Sequence, residues 1–377
     1  MHKTHERALD ALARRGRHRV LMAAAGADFA SNDYLALASS PELKDAARAA
    51  LARDVPVGAG GSRLLRGNNR EHEALEAEAA AFFGAESALF LGGGFVANVA
   101  LFSTLPQRGD LIVHDKLIHA SVHDGMRASK AERAEARHNE AQSFEDAIRD
   151  WRAAGGTGTP WIAVESLYSM DGDRAPLADL IDIADRHDGI LVIDEAHATG
   201  VLGPDGRGLG AALEGRPNVV SLHTCGKALG VMGALVLGPQ VLRDYLVNRC
   251  RPFIYATAPS PLIAALVRAA LLVCRFDAVR RDRLQKLVAH AGRELELRCG
   301  IVPSGSHIQP IILGADERAV RVATAMQARS FDIRAVRPPT VAEGTARLRL
   351  SLTLNVDEAV VDAMTAALAE ELARAGA

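Results

Sequence analysis

The sequence predicts an α/β protein: a mostly parallel central sheet with helices on both faces, followed by a smaller C-terminal α+β domain. Three observations predict it. Between residues 85 and 240, short β-rich runs alternate with helical stretches, the pattern of a doubly covered parallel sheet. Those runs are mostly apolar throughout, as strands buried on both faces should be. Beyond an apolar helix at 261–275 the order changes to helix, strand, helix, strand, strand, helix, which is an α+β arrangement of its own.

The elements follow in order from periodicity and composition. Ala, Leu, Arg and Glu recur at helical spacing in 5–15, 41–53, 71–83, 142–153, 174–187, 261–275, 279–298, 316–329 and 357–375. The β-rich runs are SALFLG (87–92), LIVHD (111–115), WIAVES (161–166), ILVIDE (190–195), VVSLHT (219–224) and ALVLG (234–238). Later come IQPIILG (308–314), FDIRAV (331–336) and RLRLSLT (347–353). This organisation divides the chain into an N-terminal segment (1–40), a large domain (41–272) and a small domain (273–377). The Gly-rich stretch GAGGSRLLRGNN (58–69) is too irregular for helix or strand and reads as a functional loop.

Composition narrows the function. The 377 residues carry 44 Lys plus Arg against 46 Asp plus Glu, a formal charge of −2, so no broad field attracts nucleic acid or an anionic membrane. The one basic cluster, RRGRHR (14–19), fits a solvated helix face or a local polyanion site. Cys225, Cys250, Cys274 and Cys299 are widely spaced with no CxxC pair, which predicts neither a zinc site nor a disulfide framework, and a reducing cytoplasm. The charged N-terminus has no apolar core of a signal sequence. The most apolar helical stretch is too short to span a bilayer and contains Arg268, so neither targeting nor membrane insertion is expected.

In an open parallel sheet, ligands gather at the carboxyl ends of the strands. After the first run, Gly92, Gly93, Gly94 and Phe95 lead into a helix, which suits a phosphate held by backbone N–H groups, or a plain chain reversal. Asp194 ends a buried run and His197 follows three residues on. The pair lacks further metal ligands at matching spacing, and no metal is expected. Asp194 also suits a helix N-cap, and His197 a core histidine. After the next run, Thr224, Cys225, Gly226 and Lys227 place an amine among small residues, where desolvation favours its nucleophilicity. A Schiff-base lysine and a carboxylate partner for a pyridine nitrogen are what pyridoxal phosphate asks of a protein.

These features occur with Ser31-Asn32-Asp33-Tyr34-Leu35, Gly60-Gly61-Ser62-Arg63-Leu64, Ala97-Asn98, Asp115 through His119-Ala120-Ser121, Ser169-Met170-Asp171-Gly172-Asp173 and Arg347-Leu348-Arg349. In that order, over almost the whole chain, they resemble the α-oxoamine synthases, a family of fold-type I pyridoxal-phosphate-dependent transferases. The resemblance implies that Lys227 forms a Schiff base with pyridoxal 5'-phosphate, that Asp194 pairs with the ring nitrogen, and that His119 stacks on the ring and orients substrate. It further implies that His197 meets the phenolic oxygen and that Ser169 lies near the ring. Thr224, Gly94 and Phe95 would hold the cofactor and its phosphate, with Thr257 reaching the phosphate of a neighbouring subunit in a homodimer. Arg349 would clamp the amino-acid carboxylate, Thr340 matches a substrate-contacting position, and Asn32 contacts substrate or shapes a turn. Of Arg14, Arg15 and Arg17, Arg15 is taken as the N-terminal substrate arginine. Read from strand alternation alone, Arg349 would face solvent.

The resemblance is closest to the biotin-pathway member, an acyltransferase that joins L-alanine to a pimeloyl thioester, on coenzyme A or a carrier protein, with loss of the thiol and carbon dioxide. Relatives that use glycine with acetyl-CoA or succinyl-CoA, or serine with long acyl-CoA, share nearly the same cofactor residues. An aminotransferase would keep Asp194 and Lys227 without needing His119 or the 58–69 loop, and a non-catalytic scaffold would need none of them. Two departures from the family pattern are Ala36, where Gly usually follows Tyr-Leu, and Gly93, where Ser often precedes Gly-Phe.

Overall fold

The computed structural model describes residues 2–376. In chain order the elements begin with α1 (Lys3–Arg14), β1 (Ala27–Asp28), α2 (Pro41–Ala52), α3 (Arg70–Phe83), β2 (Ser87–Leu91), α4 (Gly94–Thr104), β3 (Leu111–Asp115) and α5 (Ala120–Ala128). They continue with β4 (Glu132–Ala136), α6 (Ala141–Ala153), β5 (Pro160–Glu165), α7 (Leu177–Arg186), β6 (Ile190–Asp194), β7 (Val219–Thr224), β8 (Ala234–Gly238), α8 (Gln240–Arg249), α9 (Arg251–Ile254) and α10 (Pro261–Phe276). The chain ends with α11 (Ala278–Cys299), β9 (Ile308–Gly314), α12 (Asp316–Ala328), β10 (Phe331–Asp332), β11 (Arg334–Val336), β12 (Ala346–Ser351) and α13 (Glu358–Gly376). They form two compact units. The larger comprises Leu35–Ser169 and Arg174–Arg281; the smaller takes the residues up to Tyr34, Met170–Asp173, and those from Asp282 onward.

The larger unit is built on a seven-stranded sheet of order β2-β8-β7-β6-β5-β3-β4. Its β3–β4, β3–β5, β5–β6 and β6–β7 pairs are parallel, and only the two pairs made by β8 are antiparallel. Every residue of β2, β3, β5 and β7 is buried, which accounts for their apolar composition. Successive side chains enter opposite layers. Ile112, Ala163 and Val192 pack with Leu101, Phe102, Val122 and Met126 of α4 and α5. Val113, Ile162, Val164 and Ile193 pack with Phe144, Ile148, Leu180 and Ile183 of α6 and α7. This two-residue period also fixes which face each strand-end side chain occupies.

Helix ends carry the expected chemistry. Ser260 caps α10 ahead of Pro261, and Asn69 forms a reciprocal capping box with His72 at α3. Four helices fall outside the periodic segments: α4, α5, α8 and α9. α4 is apolar nearly all round, and α5 is only nine residues long and contains Gly125, whose added Cβ would meet Phe102 Cβ at 2.9 Å, so neither gives a sustained helical period in sequence. β4, of sequence ERAEA, also escapes an apolar-run search because it is a largely exposed, charged edge strand.

In the smaller unit β11-β12-β9 form an antiparallel sheet. The expected single strand 331–336 is two: Phe331 and Asp332 pair with Ala27 and Asp28, whereas Arg334–Val336 pair with β12. Ile333, fully buried, is the break where the chain changes partner.

Ala36 has φ +53°, a left-handed conformation costing a non-glycine residue about 1–2 kcal/mol. Gly230 has φ +65, and a Cβ there would lie 2.5 Å from Ala38 N. Ala36→Gly should therefore raise stability against urea by up to about 1 kcal/mol, since part of the relief is returned as unfolded-state freedom. Gly230→Ala should lower it by more than about 1 kcal/mol. Urea titrations of both variants measure the two opposite signs.

Candidate active site

Three strand ends define the site in the larger unit. Asp194 has the same alternation as Val192, and Thr224 the same as Val220 and Leu222, so both stand on the α4/α5 face of the sheet. Asp194 is buried. Its Oδ2 accepts a hydrogen bond from Asn98 Nδ2 at 2.7 Å, and its Oδ1 accepts one from the Ala196 N–H at 2.9 Å. Asn98 Nδ2 also donates to Ser121 Oγ at 3.1 Å. Ser121 Oγ lies 2.7 Å from His119 Nδ1, which accepts the Ser121 N–H as well, at 3.2 Å. Nδ1 is thereby an acceptor, and the proton of the neutral ring is assigned to Nε2. Burial pushes the His119 imidazole below its usual range, the Asp194 charge pushes back, and Lys227 adds to the lowering.

Lys227 follows β7 in a turn closed by the Gly230 N–H on its carbonyl at 2.8 Å. Its Nζ is 2.8 Å from Nε2 of buried His197. Gly94 opens α4, whose first N–H groups have no partner within the helix. A Cβ on Gly94 would come within 3.5 Å of Thr224 Oγ1, so the missing side chain leaves room between the helix start and that hydroxyl. Phe95, half-exposed, presents its ring edge-on to His119 at 6.3 Å between centroids. Ser169 is buried and donates its N–H to Glu165 Oε2 at 3.1 Å. Thr257 is exposed, in the segment before α10.

Pyridoxal phosphate needs N–H donors for its phosphate, a carboxylate for its ring nitrogen and a primary amine for its aldehyde. The opened start of α4, Asp194 held by two donors, and Lys227 provide that set within one unit. Glu195 alternates to the other side of the strand end and is structural. It accepts from Ser166 Oγ and from the Leu209 and Gly210 N–H groups, and a Cβ on Gly208 would collide with it at 2.6 Å.

The smaller unit holds the other predicted residues. Contrary to the solvent-facing reading from strand alternation, all of β12 is buried. Arg347 pairs with Asp171 at 2.5 Å, while Arg349 donates to Ser351 Oγ at 2.6 Å and to the Tyr34 hydroxyl at 3.3 Å. Tyr34 in turn donates to Asn32 Oδ1 at 3.0 Å, so Asn32 and Arg349 share one phenol. Thr340 is exposed in a turn. Arg15 is the exposed C-cap of α1, whereas Arg17 is held by Asp316 and Glu343. His290, Glu294 and Asp362 also converge within 4.8 Å, but His290 bonds Asp362 and Glu294 pairs with Arg298. The structure thus brings Asp194, His119, His197, Lys227, Thr224 and Gly94 around one end of the sheet, and Asn32 and Arg349 around Tyr34.

Asn98 and Ser121 enter the sequence argument only as letters within motifs, and Tyr34 likewise. Glu165 enters it only as a letter of the run WIAVES, although a carboxylate closing an apolar run is the same signal that Asp194 carries.

A profile of the class I and II aminotransferases matches residues 25–368. An 8-amino-7-oxononanoate synthase of Chromobacterium violaceum is 43% identical over 338 residues, covering 89% of this chain and 86% of that one. A crystal structure of 8-amino-7-oxononanoate synthase from Francisella tularensis superposes with a TM-score of 0.78 at 28% identity, covering 93% and 98% of the two chains. A serine palmitoyltransferase solved with pyridoxal phosphate superposes at 0.86 and 25% identity, covering 92% and 87%. The chain therefore belongs to the class I and II aminotransferases, fold-type I pyridoxal phosphate enzymes, in the branch of the 8-amino-7-oxononanoate synthases.

Proposed function

We propose that the protein condenses L-alanine with a pimeloyl thioester, on coenzyme A or a carrier protein, giving 8-amino-7-oxononanoate, the free thiol and carbon dioxide in biotin biosynthesis. The observation that carries this reading is the Lys227 amine 2.8 Å from His197 at the same sheet end as Asp194 and His119. Similarity over about nine-tenths of the chain to enzymes of that name supports it. When bound, pyridoxal phosphate accepts the electron pair of the broken Cα–H bond and so permits carbon–carbon bond formation with the thioester carbonyl.

The protein's part is binding, orientation and proton movement. The α4 start and Thr224 hold the phosphate, and Asp194 accepts the ring N–H, kept in place by Asn98. Lys227 Nζ would take the Cα proton of alanine, with His197 2.8 Å away to orient it. The neutral His119 ring covers the cofactor face and offers its Nε2–H to substrate oxygens. Arg349 clamps the alanine carboxylate in the planar two-point geometry that guanidinium provides, and Tyr34 sets its angle. Asn32, Thr340 and Arg15 are the further substrate contacts of this reading.

A homodimer in the cytoplasm completes the proposal. Leu65 of the Gly-rich loop and Tyr255, two residues before Thr257, are 81% and 73% exposed, apolar side chains of the larger unit suited to a partner subunit. The four cysteines are unpaired, and among the described residues no helix is long and apolar enough to cross a membrane.

With pyridoxal phosphate present, thiol release from pimeloyl-CoA should depend on alanine and be about 5- to 150-fold slower per substrate concentration with glycine, the worth of one buried methyl at about 1–3 kcal/mol. A preference for glycine with acetyl-CoA, or serine with a long acyl-CoA, would place the activity elsewhere in the branch. Lys227→Ala should lose at least about a hundredfold in kcat, and intact mass after borohydride reduction should show no retained cofactor. Arg349→Lys should raise KM for alanine about tenfold or more at near-constant affinity for the thioester, because a charged two-point bond is worth about 1.5–3 kcal/mol.

A further inference from the structure

Glu165 closes β5 as Asp194 closes β6, and the two are directly opposite in the parallel register. Glu165 shares its alternation with Ala163, and Asp194 with Val192, both on the α4/α5 face. Their Cα atoms are thus about one strand spacing apart, roughly 4.8 Å, with both side chains on the same face. Glu165 is 3% exposed. Its Oε2 accepts the Ser169 N–H, whereas Oε1 has no hydrogen-bond partner among the described residues. Both oxygens of Asp194 are supplied with donors.

The charged groups around Glu165 are Asp194 from β6, Lys227 from the turn after β7 and Asp115 from β3. Asp115 alternates with Val113 onto the opposite face. Although burial pushes its carboxyl up, hydrogen bonds from His138 and from the Asn139 and Leu117 N–H groups hold it below the usual range, so it is already a satisfied carboxylate. Two neighbouring carboxyls in a dry site do not both ionise, and the proton settles on the one with fewer donors.

We propose that Glu165 carries the proton of the Glu165/Asp194 pair, as a positioning residue that leaves the negative charge on Asp194, where the ring nitrogen of the cofactor binds. This rests on the reading of Asp194 given above. Burial, then the Asp194 charge, raises the Glu165 carboxyl to about 8 against the opposing effects of Lys227 and the Ser169 N–H. The folded protein then retains a proton that the unfolded chain releases near the ordinary value of 4.5. The stabilising contribution of Glu165 is full below that value and is lost as pH rises through about 8.

Infrared spectra of the cofactor-free protein read this proton directly. The wild type should show the carbonyl stretch of a protonated carboxylic acid at neutral pH, disappearing as pH passes about 8. Glu165→Gln should lack that band and lose less stability between neutral and alkaline pH. Asp194→Asn, which removes the neighbouring charge, should move the band's disappearance to lower pH and assigns it even if Glu165→Gln does not fold. Absence of the band from the wild type at neutral pH, or its persistence in Glu165→Gln with an unmoved midpoint in Asp194→Asn, overturns the proposal. Added pyridoxal phosphate separates the two readings. A wild type that takes up the cofactor but lacks the band contradicts the proton on Glu165 alone, and one that takes up no cofactor contradicts the site reading beneath it.

Discussion

A carboxylate at the dry end of a buried strand has to be given donors, and the chain around Asp194 is arranged to supply them. Burying a charge without partners is expensive enough that a side chain normally neutralises instead. Here the second turn of α4 brings Asn98, and the turn after β6 brings the Ala196 N–H. Asn98 is pinned in turn by Ser121 at the start of α5, and Ser121 fixes the His119 ring. Position and tautomer of a residue on one element are therefore set through a side chain on another. The α4·α5 packing that Gly125 permits is part of the site and not only of the core.

The smaller unit meets a related problem with the opposite charge. Arg347 and Arg349 lie on a fully buried strand, yet they are handled differently. Arg347 has a carboxylate partner in Asp171 and is structural. Arg349 donates to the Ser351 and Tyr34 hydroxyls, which orient its guanidinium.

Much of this is legible in sequence. Buried parallel strands announce themselves because both faces exclude water, and the residues that end them, Asp194 and Thr224, mark the site once the sheet is recognised. Lys227 is legible only jointly with Asp194. Elements whose composition lacks the usual pattern are harder: α4 is apolar nearly all round and shows no polar stripe, and β4 is hidden by its charges. Glu165 is missed because one glutamate in an apolar run is indistinguishable from an edge residue until the β5–β6 register places it beside Asp194. Arg349 is misread by strand alternation because that rule assumes one wet face, and the small sheet has none at β12. Ala36 is visible as a departure, but that it adopts the glycine-like conformation regardless is a fact of the fold.

On the proposed reading of the site, the Asp194 carboxylate keeps the pyridine nitrogen of the cofactor protonated. Nitrogen NMR of the protein loaded with cofactor labelled at that atom tests it most directly. The signal should be that of a protonated pyridine throughout the neutral range, and should revert to the unprotonated position in Asp194→Ala. An unprotonated nitrogen in the wild type, or a protonated one that survives loss of Asp194, would contradict the account.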